Sequence, residues 1–400
     1  MMRCKITNQH IKPFMSFGKM PIANAFLKKK DFNKEFFFNL EVGFSNKVSL
    51  FQLNDHPKPK QMFNSKYPFF TSSSVQMIKH FKNYANWIKK NYLKNFKNLI
   101  EIGSNDGTFL KNFEKNKYDV LGFEPSSNVA KISKKKGIKT INDFFNYQNV
   151  KKKIKDKNKK IDVIVAANAI CHIPDLKSLI KGIDFLLTKN GLFIFEEPYL
   201  GSMFKKGSYD QIYDEHIFMF SAHSVKKIFN LYGFELIDAI KQKTHGGSMR
   251  YVVARKKAYK KKINVNKVLQ YEIKNNINNL KGCLIFKKKC ELSKNNLIKK
   301  LEKYKKRNLR IAGYAATSKS TTILNYCNIG TNYIDYISDT TLDKIGKYSP
   351  GMHIPIVPIS HLKKKLPDKI FLFAWNHKKE IFLKEKNEIK KNKWFAHVKL

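Results

Sequence analysis

The sequence predicts an α/β protein with two parallel sheets in two separate domains. From about residue 76, short apolar segments alternate with segments of helical periodicity. A second, smaller alternation of the same kind begins near residue 306. Strands that alternate with helices are typical of parallel sheets that helices cover on both faces. We therefore expect two α/β units, with other structure before and between them.

The chain divides into four predicted parts. Residues 1–75 form a small irregular lobe, because turn-rich pieces such as GKMPIANAF and NDHPKPKQ dominate it. Residues 76–257 form the first α/β domain, and residues 306–400 form the second. Residues 258–305 are Lys- and Asn-rich with apolar residues at helical spacing, which predicts a helical connector.

Five apolar segments predict the parallel strands of the first α/β domain. They are NLIEIG (98–103), YDVLGFEP (118–125), IKTIND (138–143), IDVIVAAN (161–168) and GLFIFEEP (191–198). The segment DLKSLIKGIDFLLTKNG has apolar residues at helical spacing, and we expect its helix to end at Gly191 as a C-cap. FELIDAIKQ and GSMRYVVARKK predict a closing pair of strands.

The positive charge of the chain does not by itself indicate nucleic acid as a partner. The sequence has 78 Lys+Arg against 31 Asp+Glu, a net charge of +47. The lysines are scattered along the whole chain together with many Asn, Ile and Phe residues, which indicates a compositional bias rather than one phosphate-binding face. An anionic substrate would still benefit from this field.

The cysteine count and the apolar runs predict a soluble, cytoplasmic protein. Five cysteines show no disulfide-like spacing, and an odd number fits a reducing compartment. The N-terminus MMRCKITNQHIKPF has no apolar core of a signal peptide. No apolar run is long enough to cross a membrane.

The segment EIGSNDGTFL (101–110) lies where the first predicted strand meets a predicted helix, whose first N–H groups would be free to bind a ligand. Gly103 and Gly107 allow a tight turn and a close approach of the backbone to a ligand. Glu124, at the end of the next strand, can accept hydrogen bonds from ribose hydroxyls. The spacing differs from the dinucleotide pattern G-x-G-x-x-G, so the turn favours a nucleoside ligand other than NAD.

The segment QIYDEHIFMFS (211–221) places Tyr213, Asp214, Glu215 and His216 directly before the apolar IFMF. An imidazole titrates near neutrality and a carboxylate can fix its tautomer, so the pair can supply a general base. The alternative is a structural histidine that a neighbour caps. These four residues alone leave both interpretations open.

Three further segments are weaker candidates. His172 follows the fourth predicted strand, at the edge where α/β sites lie, and His245 precedes a Gly-Gly pair in THGGSMRY. A single histidine at a strand end is more often structural. GYAATSKS (313–320) has Ser318 where a phosphate loop needs glycine, so an ATPase is disfavoured, although Lys319 and backbone amides can bind an anion.

Taken in order, these segments resemble the sugar C-methyltransferases that act on nucleotide-linked keto-deoxysugars. The resemblance rests on EIGSNDGTFL, GFEPSSNVA, ANAICHIPDL, YDQIYDEHIFMFS, THGGSMR, GYAATSKSTT, YSPGMHIPI and FAWNHKKEI, and it covers nearly the whole chain. It implies a class I methyltransferase domain in the middle, a second Rossmann-like domain at the C-terminus and S-adenosylmethionine as the cofactor. The cofactor-binding residues that it implies are Glu101, Gly103, Asn105, Asp106, Gly107, Glu124, Asn142, Asp143 and Asn168.

The resemblance also implies the residues of a sugar site. In the family, a Tyr-x-Glu-His run contributes to this site and its histidine is thought to be the base, which corresponds here to Tyr213, Glu215 and His216. His172 and Tyr67 are implied as further catalytic residues. A proton on a carbon beside a ketone is weakly acidic, so its removal needs a positioned base and stabilisation of the enolate oxygen. The apolar IFMF would keep water away from the carbanion.

The N-terminal lobe departs from the family in its metal ligands. The family binds zinc there through two C-x-x-C pairs. This sequence keeps Cys4, whereas Thr7, Ser45 and Val48 stand in place of the other cysteines. One soft ligand does not hold a structural zinc ion, so zinc is doubtful and no metal ligand is assigned. We expect apolar contacts to hold the lobe instead, among them Phe36, Phe37 and Phe38.

Other functions remain open at this level. The same scaffold can methylate an oxygen or nitrogen of a carbohydrate or another small molecule. An RNA-binding protein or RNA methyltransferase is suggested only by the charge of +47, and the sequence has no recognisable RNA module. A non-catalytic scaffold is disfavoured by the intact Tyr213, Glu215 and His216. The sugar, the nucleotide, the methylated carbon and the oligomeric state are not indicated.

Overall fold

The computed structural model describes residues 2–65, 67–93, 97–154, 156 and 160–400. The strands are β1 (Pro13–Pro21), β2 (Phe37–Ser45), β3 (Leu50–Leu53), β4 (Asn98–Ile102), β5 (Asp119–Phe123), β6 (Thr140–Ile141), β7 (Ile161–Ala167), β8 (Leu187–Pro198), β9 (Phe218–Met219), β10 (Phe234–Gln242), β11 (Ser248–Arg255), β12 (Ile311–Tyr314), β13 (Ile337–Asp339), β14 (Ile356–Pro358), β15 (Lys369–Leu372) and β16 (Trp394–Phe395).

The α-helices of these described ranges follow the same order along the chain. They are α1 (Pro59–Met62), α2 (Val75–Tyr92), α3 (Ser127–Lys135), α4 (Tyr147–Lys153), α5 (Leu176–Leu186), α6 (Leu200–Lys206), α7 (Ala222–Asn230), α8 (Ile263–Lys274), α9 (Leu280–Lys306), α10 (Ser318–Tyr326), α11 (Ile359–Lys364) and α12 (Lys378–Glu385). None of them is both long and apolar enough to cross a membrane.

The middle of the chain forms a sheet with the strand order β6-β5-β4-β7-β8-β11-β10. Strands β4 to β8 pair in parallel, whereas β11 is antiparallel to both of its neighbours. The central strands are apolar on both faces because helices cover both faces, as the near-continuous apolar runs predict. This order, with one reversed strand near the edge, confirms the predicted Rossmann-like methyltransferase arrangement. The carboxyl ends of the parallel strands meet at one edge of the sheet.

The N-terminal lobe contains more regular structure than its turn-rich sequence indicates. Strands β1, β2 and β3 form an antiparallel sheet, and β9 joins it as the fourth strand. The partner of β3 is therefore the FM of the IFMF segment, with Phe51 opposite Met219 and Gln52 opposite Phe218. This long-range pairing explains why IFMF is completely buried, and it places the YDEH residues at the junction of two domains.

Two predictions about local packing are wrong. Of the three consecutive phenylalanines, Phe38 is buried at 6% exposure, but Phe36 and Phe37 are 45% and 43% exposed, because Phe37 and Phe38 point to opposite faces of β2. Gly191 is not the C-cap of the preceding helix. Helix α5 ends at Leu186, and Gly191 lies inside β8, because Leu187 already pairs with Ile161 of β7.

The C-terminal domain has a second parallel sheet, with the strand order β14-β13-β12-β15-β16. The connector before it consists of two helices, α8 and α9, and not one. Asn279 begins α9 as its N-cap, since its side chain accepts a hydrogen bond from the backbone of Gly282. Helix α10 follows β12 directly, and its capping box uses Thr317 and Ser320.

Candidate active site

A cleft of about 1110 Å³ lies where the N-terminal lobe, the middle domain and the C-terminal domain meet. The carboxyl ends of the middle sheet form its floor, which is where open α/β sheets bind ligands. Ten of the sequence-predicted site residues line this cleft: Tyr67, Glu101, Gly103, Asn105, Glu124, Asn168, His172, Tyr213, Glu215 and His216. Parts of the chain that are far apart in sequence therefore contribute to one site.

The turn after β4 forms one end of the cleft. Gly103 has a φ of +70°, and a Cβ atom there would lie 2.6 Å from the Cβ of Ala169, so only glycine fits. Glu124 stabilises the turn, since its carboxylate accepts hydrogen bonds from the backbone N–H of Asn105 (3.0 Å) and of Ser126 (2.7 Å). Glu124 also faces the cleft, so its remaining lone pairs are available to a ligand.

Asn105 links this turn to the N-terminal lobe. Its side-chain oxygen accepts from the backbone N–H of Thr71 at 2.8 Å, and its side-chain nitrogen donates to the carbonyl of Phe69 at 3.2 Å. Asn105 has a φ of +48°, a conformation that asparagine adopts more readily than most residues. The lobe therefore closes over the turn through polar side chains of the turn itself.

Glu101 is a buried carboxyl group beside the same turn. It is 3% exposed, and its Oε2 has no hydrogen-bond partner among the residues that the structure describes. Burial, together with the charges of Glu124 and Asp106, raises its pKa well above the ordinary value. A carboxyl group in this state fits a ligand that brings a hydrogen-bond donor or a positive charge.

Four of the predicted cofactor residues do not line the cleft. Asp106 is fully buried behind the turn and accepts from Ser72 N, Thr108 Oγ1 and Lys136 Nζ. Gly107 is required for packing, because a Cβ there would lie 2.8 Å from Ser133 Oγ. The other two residues follow β6 and form hydrogen bonds within the protein. Asn142 donates to the carbonyls of Glu124 and Pro125, and Asp143 accepts from Phe144 and Asn149.

The adjacent residues that do line the cleft were not predicted from the sequence. They are Phe144, Phe145, Asn146 and Gln148. Their position directly after the third parallel strand was the available signal, because the strand ends of such a sheet share one edge. Asn168, after β7, completes this region with a φ of +53° and a buried side-chain oxygen that has no partner in the described part of the chain.

Tyr213 and His216 form a hydrogen-bonded pair in the centre of the cleft. His216 Nδ1 lies 2.7 Å from the carbonyl of Gln211, which can only accept, so Nδ1 carries the proton. The lone pair is therefore on Nε2, which accepts from the Tyr213 hydroxyl at 2.8 Å. Burial lowers the pKa of His216 well below its ordinary value, so the imidazole is neutral near pH 7.

Glu215 connects the N-terminal lobe to this pair. Asn24 Nδ2 donates to Glu215 Oε1 at 2.7 Å, and the Tyr67 hydroxyl donates to Oε2 at 3.4 Å. The neighbouring Asp214 accepts from the backbone N–H of Ala23 at 3.0 Å. Burial raises the pKa of both carboxyl groups. Asn24, which was not predicted from the sequence, is thus the lobe residue in closest polar contact with the site.

His172 lies beside His216. The two rings are stacked with a centroid distance of 5.4 Å, and Phe63 stacks on His172 at 5.6 Å. His172 Nε2 is buried without a partner among the described residues, and burial lowers the pKa of His172 to about 4. The turn that carries His172 is held by Glu197, whose Oε1 accepts from the backbone N–H of Ala169 and of Ile170.

The C-terminal domain supplies the opposite wall, which carries two lysines. Lys319, on the first turn of α10, lies 4.8 Å from the ring centroid of Trp375 and donates to Asn376 at 3.1 Å. Lys344 and His377 belong to the same wall, and His245 of the middle domain lies next to it. Burial lowers the pKa of both histidines, to about 3 for His245, so the two lysines carry the positive charge. Trp375 also donates to Asp210 at 2.7 Å, which fixes this domain to the segment before Tyr213.

The residues around Cys4 do not fit a zinc site. Cys4 packs in an apolar cluster with Val48 and Leu50. The polar groups next to its thiol are the backbone N–H of Thr7 at 3.5 Å and the hydroxyl of Ser45. In the described ranges, the one group of three metal-binding side chains lies elsewhere, at Cys171, His172 and His216. We therefore assign no chemical role to a metal ion in this lobe.

Three family models match consecutive parts of the chain. They are described as "Putative zinc binding domain" at residues 4–63, "Methyltransferase domain" at residues 77–239 and "C-methyltransferase C-terminal domain" at residues 243–398. Among curated proteins, C-methyltransferase NovU from Streptomyces niveus is 28% identical over 375 residues, which is 93% of this chain and 89% of that protein. The similarity therefore extends over all three structural regions.

Solved structures resemble the middle of the chain. An S-adenosylmethionine-dependent methyltransferase from Clostridium acetobutylicum ATCC 824 is 11% identical, with a TM-score of 0.35 over 44% of this chain and 92% of that one. Magnesium protoporphyrin IX methyltransferase from Synechocystis PCC 6803 is 12% identical, with a TM-score of 0.33 over 45% of this chain and 80% of that one. These scores are low, so the fold assignment depends on the strand order. The chain is therefore similar over nearly its whole length to C-methyltransferases with this three-part organisation, and it is an enzyme dependent on S-adenosylmethionine.

Proposed function

We propose that the enzyme methylates a carbon next to the ketone of a nucleotide-linked keto-deoxysugar, by way of an enolate. The observation that carries the proposal is the Tyr213–His216 pair on the wall of the cleft, in which the Tyr213 hydroxyl donates to the lone pair of His216 Nε2. A substrate that separates the two groups meets one base and one donor. A ketone needs both a base at its neighbouring carbon and a donor at its oxygen. S-adenosylmethionine, when bound, supplies an electrophilic methyl group.

His216 Nε2 is the proton acceptor in this proposal. The hydrogen bond from Nδ1 to the carbonyl of Gln211 fixes the tautomer and the orientation of the ring. When the substrate occupies the site, the C–H bond breaks, the proton moves to Nε2, and the electron pair of that bond develops on the ketone oxygen. The imidazole needs no prior deprotonation, because burial keeps it neutral.

The Tyr213 hydroxyl is the donor to the developing enolate oxygen. In the structure it donates to His216 Nε2, and the approach of the substrate carbon to Nε2 releases it for the neighbouring oxygen. Burial raises the pKa of Tyr213, so the hydroxyl stays protonated and acts only as a donor. The buried IFMF segment excludes water behind the pair, which strengthens these interactions.

Glu215 binds a sugar hydroxyl in this scheme. Its two oxygens accept from Asn24 and Tyr67, which fix the carboxylate, and each oxygen keeps lone pairs for the substrate. The two lysines of the C-terminal wall, Lys319 and Lys344, support a nucleotide-linked substrate, because they line the cleft and a diphosphate needs positive charge.

The exchange of the substrate's α-proton with deuterated solvent tests the base without any methyl donor. We expect His216→Asn to bind cofactor and sugar but to lose exchange and turnover by about 100-fold or more, the usual effect of removing a general base. Glu215→Gln is the matched variant, and we expect it to raise KM more than it lowers exchange. Mass spectrometry of nucleotide-linked keto-sugars after incubation in D2O gives the rate.

Two results would contradict the proposal. Exchange at the wild-type rate in His216→Asn, together with loss of exchange in Glu215→Gln, would make Glu215 the base. An absence of methyl transfer from labelled S-adenosylmethionine to every member of a panel of nucleotide-linked keto-sugars, with a folded and cofactor-binding protein, would show that the substrate belongs to another class.

A further inference from the structure

Three soft or borderline metal-binding side chains lie close together at the cleft, two of them on its surface and one, Cys171, buried behind it. They are Cys171, His172 and His216, and their ligand atoms all lie within 4.8 Å of one another. Cys171 and His172 come from the turn after β7, whereas His216 comes from the segment after β8. Cys171 has no part in the enolate chemistry above. Its thiol bonds to the buried carboxyl group of Glu197, which must release the thiol before a metal ion can bind.

The separation of these atoms is close to that of a metal site. Zinc bonds to thiolate sulfur at about 2.3 Å and to imidazole nitrogen at about 2.0–2.1 Å, so ligand atoms around a tetrahedral ion lie roughly 3.3–3.8 Å apart. Small side-chain rotations that bring the ligand atoms about 1 Å closer together would reach the separation of a zinc site. Three protein ligands would leave a fourth position for water or another ligand, as in catalytic sites.

The hydrogen bonds of His216 and the unpartnered nitrogen of His172 also fit a metal ion. Histidines that bind metals usually donate their other ring N–H to a carbonyl or a carboxylate. His216 already does so, because Nδ1 donates to Gln211 and leaves Nε2 as the ligand atom. His172 Nε2 is buried and has no partner among the described residues, so a metal ion would satisfy it.

We propose that Cys171, His172 and His216 form a binding site for a soft divalent metal ion such as zinc, and that the bound ion inhibits methyl transfer. On binding, the S–H bond of Cys171 breaks, a sulfur–metal bond forms, and the proton leaves to water. The Tyr213 hydroxyl gives up its bond to His216 Nε2, and the ion takes that lone pair. The inhibition rests on the proposed role of His216 as the base, but the binding does not.

Cobalt(II) titration of the purified full-length protein tests the binding directly. Bound cobalt should give a thiolate-to-metal charge-transfer band at one ion per chain, and zinc should displace it. Cys171→Ala should abolish the band and weaken cobalt binding on the order of 100-fold. Cys4→Ser is the matched control: it removes another buried thiol, in the lobe that resembles a zinc domain, and it should leave the band unchanged.

Zinc inhibition of turnover is the second measurement. Wild type and Cys4→Ser should lose activity in parallel with the occupancy of the site, and the inhibition constant of Cys171→Ala should rise by the same factor as its metal affinity falls. No charge-transfer band in the wild type, or a band that persists in Cys171→Ala and is lost in Cys4→Ser, would overturn the site. Metal bound through Cys171 without loss of activity would overturn the inhibition.

The two proposals fail in different ways. If His216→Asn kept its proton exchange, the role of His216 as the base would fail, whereas the Cys171-dependent band in the wild type would still establish the metal site. If the band were absent, the deuterium exchange assay would be unaffected. A melting temperature of Cys171→Ala close to that of the wild type would show that the lost band does not reflect unfolding, and Cys171→Ser provides a second variant of nearly the same size.

Discussion

The turn after β4 and the turn after β12 are built in the same way but face the cleft differently. In each, the first residue after the strand has a positive φ, +70° at Gly103 and +71° at Ala315. In each, an acid at the end of the next strand accepts a backbone N–H of the turn: Glu124 from Asn105 at 3.0 Å, and Asp339 from Ala316 at 2.7 Å.

The two turns differ in the element to which each one leads. The turn after β4 leads into a loop with one short 3-10 turn, and not into the helix that the sequence predicts, so that prediction is wrong. Gly103 and Glu124 remain on the surface of the cleft. The turn after β12 enters α10 at once, and Asp339 bonds to its own loop through the N–H of Thr341 at 2.7 Å. Asp339 does not line the cleft, and Lys319 of the first helical turn does.

The same turn conformation, stabilised by an acid from the next strand, therefore occurs in two cleft walls with different ligand-binding groups. A carboxylate that faces the cleft, beside a glycine without a side chain, suits the hydroxyls of a nucleoside. A helix N-terminus with a lysine suits an anion. The two walls differ because a loop follows the turn after β4 whereas α10 follows the turn after β12, and not because of the features that both turns share. Four variants test this comparison.

The largest effect is expected for Gly103→Val. A side chain there would meet Ala169 at 2.6 Å, so cofactor binding should fall by about 100-fold or more, because the backbone can no longer approach its ligand. Isothermal titration with S-adenosylmethionine measures the loss. Gly233→Val is the matched control, since Gly233 has a φ of +81° and a Cβ added there would meet no atom within 4 Å. Equal affinities in two folded variants would refute the role of the turn.

A smaller effect is expected for Lys319→Met. Loss of a largely buried charge opposite an anion should raise KM for the nucleotide-linked substrate about 10- to 100-fold, with little change in the affinity for S-adenosylmethionine. Lys384→Met removes the same charge from an exposed position on α12 and should leave KM unchanged. Steady-state kinetics with both variants separate a local contact from the general field of the protein. If Lys319→Met also lowered the affinity for S-adenosylmethionine, the C-terminal wall would contribute to cofactor binding as well, which would contradict this prediction.

Glu101→Gln should change the pH dependence of stability. Burial raises the folded-state pKa of Glu101 well above its ordinary value of 4.5, so the unfolded chain ionises first and stability is lost as pH rises above that value. The variant does not titrate there. We expect its melting temperature without cofactor to exceed that of the wild type by a few degrees at pH 8, with little difference at pH 4.5. A difference that is largest at low pH would contradict the assigned direction.

The smallest effect is expected for Ala315→Gly. Ala315 has a φ of +71°, and glycine removes the clash that an L-residue suffers there, at the cost of greater freedom in the unfolded chain. The net gain in the free energy of unfolding should be below about 1 kcal/mol, and the affinity for S-adenosylmethionine should not change. Urea denaturation measures the gain. Destabilisation would indicate that the methyl group of Ala315 has packing contacts worth more than the strain.

The sequence predicted most of the middle domain because its signals are local. The apolar segments at 98–103, 118–125 and 161–168 became β4, β5 and β7, since a strand buried on both faces must be apolar along its length. The turn at Gly103 and the cluster at Tyr213 to His216 were also visible, because each lies within ten consecutive residues.

The contacts that complete the site could not be predicted from the sequence, because they join residues that are far apart in the chain. Asn24 lies 191 residues from Glu215 in the chain, and β9 pairs with β3 of the N-terminal lobe. Short apolar segments such as IFMF fit either a strand or a helix, so their partners cannot be read from periodicity. Phe36 and Phe37 likewise became exposed because the register of β2 was decided by its pairing with β1 and β3.

By itself, the sequence determined two α/β domains, the glycine turn beside Glu124 and the Tyr213–Glu215–His216 run, because periodicity and short motifs are properties of neighbouring residues. The tertiary structure decided the tautomer of His216, the contact of Asn24 with Glu215, and the approach of Cys171 and His172 to His216. These depend on how the strand ends and the lobes come together, and packing of distant segments leaves no regular spacing in the chain.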